Sequence, residues 1–200
     1  MIPIKIDDGT PKEIEISYDG LCNVILPLCC WLKTISDKNI ARTIICVVGP
    51  AASGKSTLSL ILAYMCNSIW RNGNKDWSIC LSMDAYHFKN SLLRSKSQGG
   101  FTHMDLKGHI FTIDVESLYN DLLKIQSGNN LVELPIYSRS THEPSRGSLF
   151  VESNHKLILV EGLHLLSNER TWSNIKNLAE RSVYLDIPLS LCRENVIKRK

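Results

Sequence analysis

Gly49-Pro50-Ala51-Ala52-Ser53-Gly54-Lys55-Ser56 decides the fold of this chain. Its Gly-x4-Gly-Lys-Ser spacing is that of a phosphate-binding loop. The apolar run Thr43-Ile44-Ile45-Cys46-Val47-Val48 precedes it and reads as a buried strand. Thr57-Leu58-Ser59-Leu60-Ile61-Leu62-Ala63-Tyr64-Met65 follows and reads as a helix. Strand, glycine-rich loop and helix in that order are the context the motif requires. The glycines let backbone N–H groups close on an oxygen-rich anion, and the helix N-terminus adds partial positive charge. Gly49, Ala52, Ser53, Gly54, Lys55, Ser56 and Thr57 are the expected phosphate contacts, with Lys55 on the β/γ-phosphates and the Ser56 hydroxyl on Mg²⁺.

Outward from the loop, strand-like runs alternate with helical ones. Thr43–Val48, 78–83, 131–136, 156–160 and 182–187 read as strands; 55–71, 115–126, 171–178 and 189–200 read as helices. This alternation predicts a three-layer α/β sandwich with a central parallel sheet. The loop strand is expected inside that sheet, between the third and fourth runs. Ligands in such sheets sit at the carboxyl ends of the strands, so whatever follows each strand faces the loop. Residues 1–40 read as a small extension, a hairpin turning at Asp8-Gly9 and then an apolar helix from Leu21 to Ile35, ahead of a domain over 41–200. The polar, glycine-containing region 89–109 reads as a mobile loop over the site.

Composition narrows the class. The chain has 200 residues, 44% hydrophobic and 22% charged, as expected of one soluble globular domain with a sizeable core. A net charge of +3 gives no argument for nucleic acid or a membrane surface. No apolar run is long enough to span a bilayer, and the N-terminus has no basic-then-apolar leader. The seven cysteines match no metal spacing and read as reduced core thiols of a cytoplasmic protein.

The strand ends carry the candidate chemistry. Asp84, directly past the second strand, is placed to take a proton from a substrate hydroxyl or to orient Mg²⁺ through water, with a cap on the following turn as the alternative. Tyr86 and His87 beside it read, from the residues alone, as packing more than as chemistry. Glu161 ends the fourth strand, where an acid serves Mg²⁺ or a water. Between strands three and four, Tyr137, Arg139 and His142 bring planar and cationic groups suited to a substrate, or form an exposed hairpin turn. Arg193 and Arg199 lie on the last helical run, where a mobile arginine could meet transferred phosphate.

In order along the chain these motifs are the loop, Met83-Asp84-Ala85-Tyr86-His87, Lys107-Gly108 followed by Asp114, Tyr137-Ser138-Arg139-x-x-His142-Glu143-Pro144, Val160-Glu161-Gly162, and Arg193-x5-Arg199-Lys200. The set resembles the P-loop kinases that include uridine kinase, phosphoribulokinase and type I pantothenate kinase, above all their bacterial small-molecule kinase relatives. The resemblance covers nearly the whole chain. It implies a P-loop NTPase fold and transfer of the γ-phosphoryl group of ATP, with Mg²⁺, to a hydroxyl of a nucleoside, pantothenate-like molecule or sugar. It implies Asp84 as base, Lys55 and Glu161 in catalysis, and Ser56 and Glu161 on the metal. Tyr86, His87, Lys107, Tyr137, Arg139 and His142 fall at the substrate, and Arg193 and Arg199 in the lid. It admits a homodimer.

Ala85 stands where the family has Gly, His109-Ile110-Phe111 where it has Ala-Pro-Glu, and Leu163-His164 where it has Asn and an aromatic, so the substrate pocket is expected to be reshaped. The sequence ends within the segment matching the lid helix. Leu189–Lys200 is accordingly expected to be mobile or held by a neighbouring molecule. The rival reading is a P-loop module or NTPase without an acceptor; a GTPase would carry Asn-Lys-x-Asp, which is absent.

Overall fold

A computed structural model describes residues 2–5 and 11–198. The expected Asp8-Gly9 turn and Arg199 lie outside those residues.

The N-terminal part pairs β1 (Ile2–Lys5) antiparallel with β2 (Pro11–Ile14). A helical run over 18–38 follows: α1 (Tyr18–Gly20), a π-turn (Leu21–Ile25) and α2 (Leu26–Lys38). Ser17 caps its start by accepting the Gly20 N–H at 3.0 Å. The wide turn has a local cause. Pro27 lacks the N–H of an ordinary helical turn, and the Leu26 N–H reaches back to Leu21 O.

The domain proper runs β3 (Thr43–Val48), α3 (Lys55–Trp70), β4 (Ser78–Ser82), a 3₁₀ turn (Met83–Tyr86), α4 (Asn90–Ser95), the two-residue strands β5 (Ser97–Gln98) and β6 (Phe101–Thr102), and α5 (Val115–Gln126). It continues with β7 (Leu131–Ser138), β8 (Glu143–Glu152), β9 (Leu157–Gly162), α6 (Arg170–Leu178), β10 (Arg181–Tyr184) and α7 (Leu189–Lys198). The region 89–109, expected as a loop, thus holds α4 and the short β5–β6 hairpin.

Four strands form one parallel sheet in the order β10-β3-β9-β4. Every residue of β3 and β9 is buried because helices cover both faces. Alternation in β3 sorts its side chains. Ile44, Cys46 and Val48 pack with Leu118, Leu122 and Ile125 of α5 and with Trp172 and Ile175 of α6. Ile45 packs on the opposite face with Ile61, Leu62 and Cys66 of α3 and with Ile25, Cys29 and Leu32 of the N-terminal run. The extension therefore shares a core with the helix that follows the glycine-rich loop. Each leucine so buried contributes roughly 1.5–3 kcal/mol. Of the cysteines, Cys29, Cys46, Cys66 and Cys192 are buried as expected, whereas Cys30 is exposed.

Two expectations about the sheet are corrected. The neighbours of β3 are β9, which is the fourth run as expected, and β10, the fifth, in place of the third, and 131–136 is not in the parallel sheet. That run belongs to β7, which pairs antiparallel with β8 as a hairpin. The register slips between Leu134 and Ile136, at Pro135, whose nitrogen cannot join the ladder. At the amino end of β3, Arg42 is buried and donates to three carbonyls: Ile125 at 3.1 Å, Glu152 at 3.0 Å and His155 at 3.2 Å. One guanidinium thereby ties the end of α5 to the β8–β9 turn. No helix among the described residues is long and apolar enough to cross a membrane.

Candidate active site

The loop after β3 is shaped by close approach. A Cβ on Gly49 would stand 2.9 Å from Leu185 O and 3.0 Å from Ser53 Oγ, so only glycine fits there. Gly54 enters α3 with φ 95°, and Ala52 has φ 59°, a left-handed value that an alanine adopts at a cost. The first turn of α3 has no side-chain cap among the described residues. Its first amide N–H groups are thus left without a capping side-chain acceptor, as an anion site requires. Ser53 Oγ is buried with no hydrogen-bond partner among the described residues. Lys55 is buried, and its Nζ donates to Pro50 O at 2.7 Å, folded over the loop it would share with a phosphate. Ser56 and Thr57 are half-buried beside it.

Strand register brings the two candidate acids to the same end of the sheet. Glu161 lies opposite Val47 of β3 on one side and Ser82 of β4 on the other. It is buried and accepts the Ser82 hydroxyl at 2.5 Å. The same hydroxyl oxygen accepts the Asp84 N–H at 3.3 Å. Asp84 itself is half-exposed.

A polar cluster adjoins Asp84. His87 Nδ1 bonds Asp84 O at 2.9 Å, and its ring stands 5.6 Å from that of Tyr137. His87 is buried, and its Nε2 has no partner among the described residues. Burial dominates its titration and lowers its pKa below the ordinary histidine value, against the opposing pull of Asp84. Lys107 Nζ donates to Asn90 Oδ1 at 2.6 Å and to the His142 carbonyl, and sits 5.5 Å from the centre of the Tyr137 ring. Burial lowers the Lys107 pKa, with Glu143 and Asp84 opposing. Burial raises that of Tyr137, helped by Asp84. Arg139 and His142 are exposed at the β7–β8 turn, where His142 has φ 53°.

Not every expected site residue faces this cleft. Tyr86 is packed in the core, and its hydroxyl donates to Asp121 Oδ2 of α5 at 3.1 Å. Asp114 caps α5, accepting the Ser117 N–H at 3.1 Å and its hydroxyl at 2.8 Å. Arg193 is exposed on α7. Buried Cys192 and Asn195, whose Nδ2 donates to Ala52 O of the loop at 3.2 Å, join that helix to the domain.

Sequence reading passed over Ser82, Asn90 and Asn195, and it quoted Glu143 and His164 without giving either a role. Glu143 Oε1 accepts the Asn90 N–H at 2.7 Å and so fixes the start of α4. His164 Nε2 bonds Gly108 O at 2.9 Å and packs edge-on to Trp172. Its place where the resemblance has an aromatic was the available signal.

The fold and this loop define a P-loop α/β protein. Residues 44–200 match the phosphoribulokinase/uridine kinase family model, and the chain belongs to that family. Among curated relatives it is 29% identical over 194 residues to YggC of Escherichia coli (strain K12), covering 96% of this chain and 77% of the relative. It is 23% identical over 207 residues to a pantothenate kinase of Sodalis glossinidius, covering 92% and 63%. The fold is also that of YFH7 from Saccharomyces cerevisiae, with TM-score 0.77, 14% identity and coverage of 88% and 86%. A candidate fructose transport system kinase from Silicibacter sp. TM1040 aligns with TM-score 0.75 and 22% identity, covering 88% and 81%.

Proposed function

We propose that this chain is an ATP-dependent kinase that moves the γ-phosphoryl group to a hydroxyl of a small molecule. The observation that carries this reading is the Ser82 hydroxyl, which links Glu161 to Asp84 at the strand ends beside the phosphate loop. A P-loop protein that only bound nucleotide would have no use for a half-exposed carboxylate and a polar cluster there.

In this reading the loop amides and Lys55 hold the β- and γ-phosphates. Asp84 accepts the proton of the acceptor hydroxyl as its oxygen bonds to the γ-phosphorus. The bond from that phosphorus to the β–γ bridging oxygen breaks, and ADP leaves with its electron pair. Lys107, Tyr137, His87, Arg139 and His142 orient the acceptor; Arg193 and Arg199 approach the transferred group.

The residues present fit a divalent cation. Ser56 and the buried Glu161 offer hard oxygen donors at the loop. No group of three or more His, Cys, Asp or Glu that could hold a metal occurs among the described residues, so phosphates and water would supply most of its shell. Mg²⁺ bound there supplies charge neutralisation on the β/γ oxygens.

The test is ADP release from ATP with and without a panel of nucleosides, pantothenate and sugars, on the parent and on Asp84→Asn. Acceptor-dependent release that the variant loses supports the reading. Release that no acceptor stimulates, at an equal rate in both proteins, refutes it in favour of a hydrolase.

A further inference from the structure

The acceptor cluster has an uneven charge arrangement. Two carboxylates belong to it. Glu143 accepts the Asn90 N–H at the start of α4, whereas the Asp84 carboxylate is half-exposed and only its backbone N–H reaches Ser82. Lys107 stands on the Tyr137 ring; Glu143 and Asp84 favour its charge and Arg94 disfavours it, while Arg139 favours the ionised form of Tyr137.

Lys107 is the informative one. Its ammonium has three N–H donors. Two are directed at neutral oxygens, Asn90 Oδ1 and the His142 carbonyl. Among the described residues no carboxylate lies within ion-pair distance of it. A partly buried ammonium held only by neutral acceptors carries a desolvation cost that a contacting anion would offset.

The ammonium is also held in place from behind. Lys107 belongs to a tight turn in which Gly108 takes φ 99°. The Gly108 N–H bonds Thr112 Oγ1 at 3.1 Å, and the Gly108 carbonyl bonds His164 Nε2 at 2.9 Å. His164 lies three residues past Glu161, on the segment leaving β9. The strand that carries the loop-side acid thus also fixes the turn that carries the lysine. Positioning of this kind is wasted on a solvated surface lysine and suits a ligand contact.

We propose that the acceptor carries an anionic oxygen group, carboxylate or phosphate, and that Lys107, positioned by His164 through the Gly108 carbonyl, holds it. This rests on the kinase reading and narrows its acceptor from hydroxyl compounds at large to hydroxy acids and sugar or polyol phosphates. Lys107 makes the charge-assisted contact; His164 is a positioning residue.

Matched pairs of acceptors test it: pantothenate against pantothenyl alcohol, D-glycerate against glycerol, and ribose 5-phosphate against ribose. The first two pairs read carboxylate recognition and the third reads phosphate. ADP release is followed at saturating ATP. A charge-assisted hydrogen bond is worth about tenfold or more in affinity. The expected result is kcat/KM about tenfold or more higher for the anionic member of at least one pair. Lys107→Met should abolish that difference by raising KM for the anionic member alone. His164→Ala should raise the same KM with kcat little changed, and His164→Gln, which keeps a donor, should restore it. Equal use of both members, preference for neutral nucleosides, or equal losses for both members in Lys107→Met would overturn the inference while leaving the kinase reading standing. If no acceptor stimulates ADP release, the kinase reading fails. Calorimetric titration of the same pairs into the ADP-bound protein then decides the narrower point. Binding of the anionic member that Lys107→Met weakens supports it, and binding of neither member, or of both equally, refutes it.

Discussion

Ser82 donates its hydroxyl hydrogen to Glu161 Oε1 at 2.5 Å across the β4–β9 ladder, and the same oxygen receives the Asp84 N–H. A buried carboxylate at a strand end is costly unless hydrogen-bonded. Removing the hydroxyl leaves Glu161 one donor short, a change worth about 1–3 kcal/mol. Ser82→Ala should lower the urea midpoint accordingly and reduce acceptor-dependent ADP release. Unchanged stability would mean that Glu161 draws its support elsewhere.

Lys55→Ala should remove most of the affinity for nucleotide. The ammonium leaves Pro50 O for a phosphate, whereas alanine offers neither contact. Calorimetric titration with ATP reads this directly, and undiminished binding would count against the loop as the phosphate site.

Asp84→Asn should lower kcat by about 10²–10⁴-fold, the usual worth of a positioned general base, with KM for ATP nearly constant. A parallel rise in KM for ATP would instead assign Asp84 to nucleotide binding.

Leu32 is fully buried against the face that also receives α3. Leu32→Ala should destabilise the protein by about 2–5 kcal/mol in denaturant unfolding. A loss under ~0.5 kcal/mol, the scale of an ordinary surface substitution, would show the N-terminal run to be dispensable to the core.

His87 and His155 give the stability a pH dependence of definite sign. Burial lowers both pKa values from the ordinary 6.5. Between the lowered native values and 6.5 the unfolded chain binds more protons than the native one. Stability is therefore fully present above about pH 6.5 and falls as pH drops through that window. The slope of unfolding free energy against pH should flatten in His155→Gln, whose side chain is remote from the acceptor cluster. An equally steep slope in that variant would remove His155 from the account.

Much of this was legible because the evidence for it is local. The glycine-rich loop, the buried strand before it and the helix after it follow from consecutive residues, and Thr43–Val48 spans six buried positions as expected. Glu161 was legible because an acid ends an otherwise apolar strand. What was not legible depends on pairing between distant residues. The run at 131–136 has the same apolar character whether it joins a parallel sheet or a hairpin. Its partner, β8, opens with Glu143-Pro144-Ser145 and resembles a loop until Leu149 and Val151 alternate. The two-strand hairpin won because Val132, Leu134 and Val151 could enter the α5 side of the core without the parallel sheet. The partner of Tyr86 was hidden for a related reason: the 3₁₀ turn sends Asp84 and Tyr86 to different surroundings, and the sequence does not reveal Asp121 waiting on α5. Ser82 and His164 received no role because a single polar residue acquires meaning only from its partner across a ladder or loop.

The Arg42 guanidinium stands where β3 begins, and the phosphate loop stands where it ends. Six residues of strand, about 20 Å, separate the two. Protein engineering can treat the two poles separately. A circular permutation or reporter insertion at the turn beyond Gln126 disturbs the carbonyl harness around Arg42, and its effect belongs to folding yield and melting temperature. The same alteration near Leu185 would press on Gly49 and reach the nucleotide pocket. The Arg42 end is the place to attach cargo.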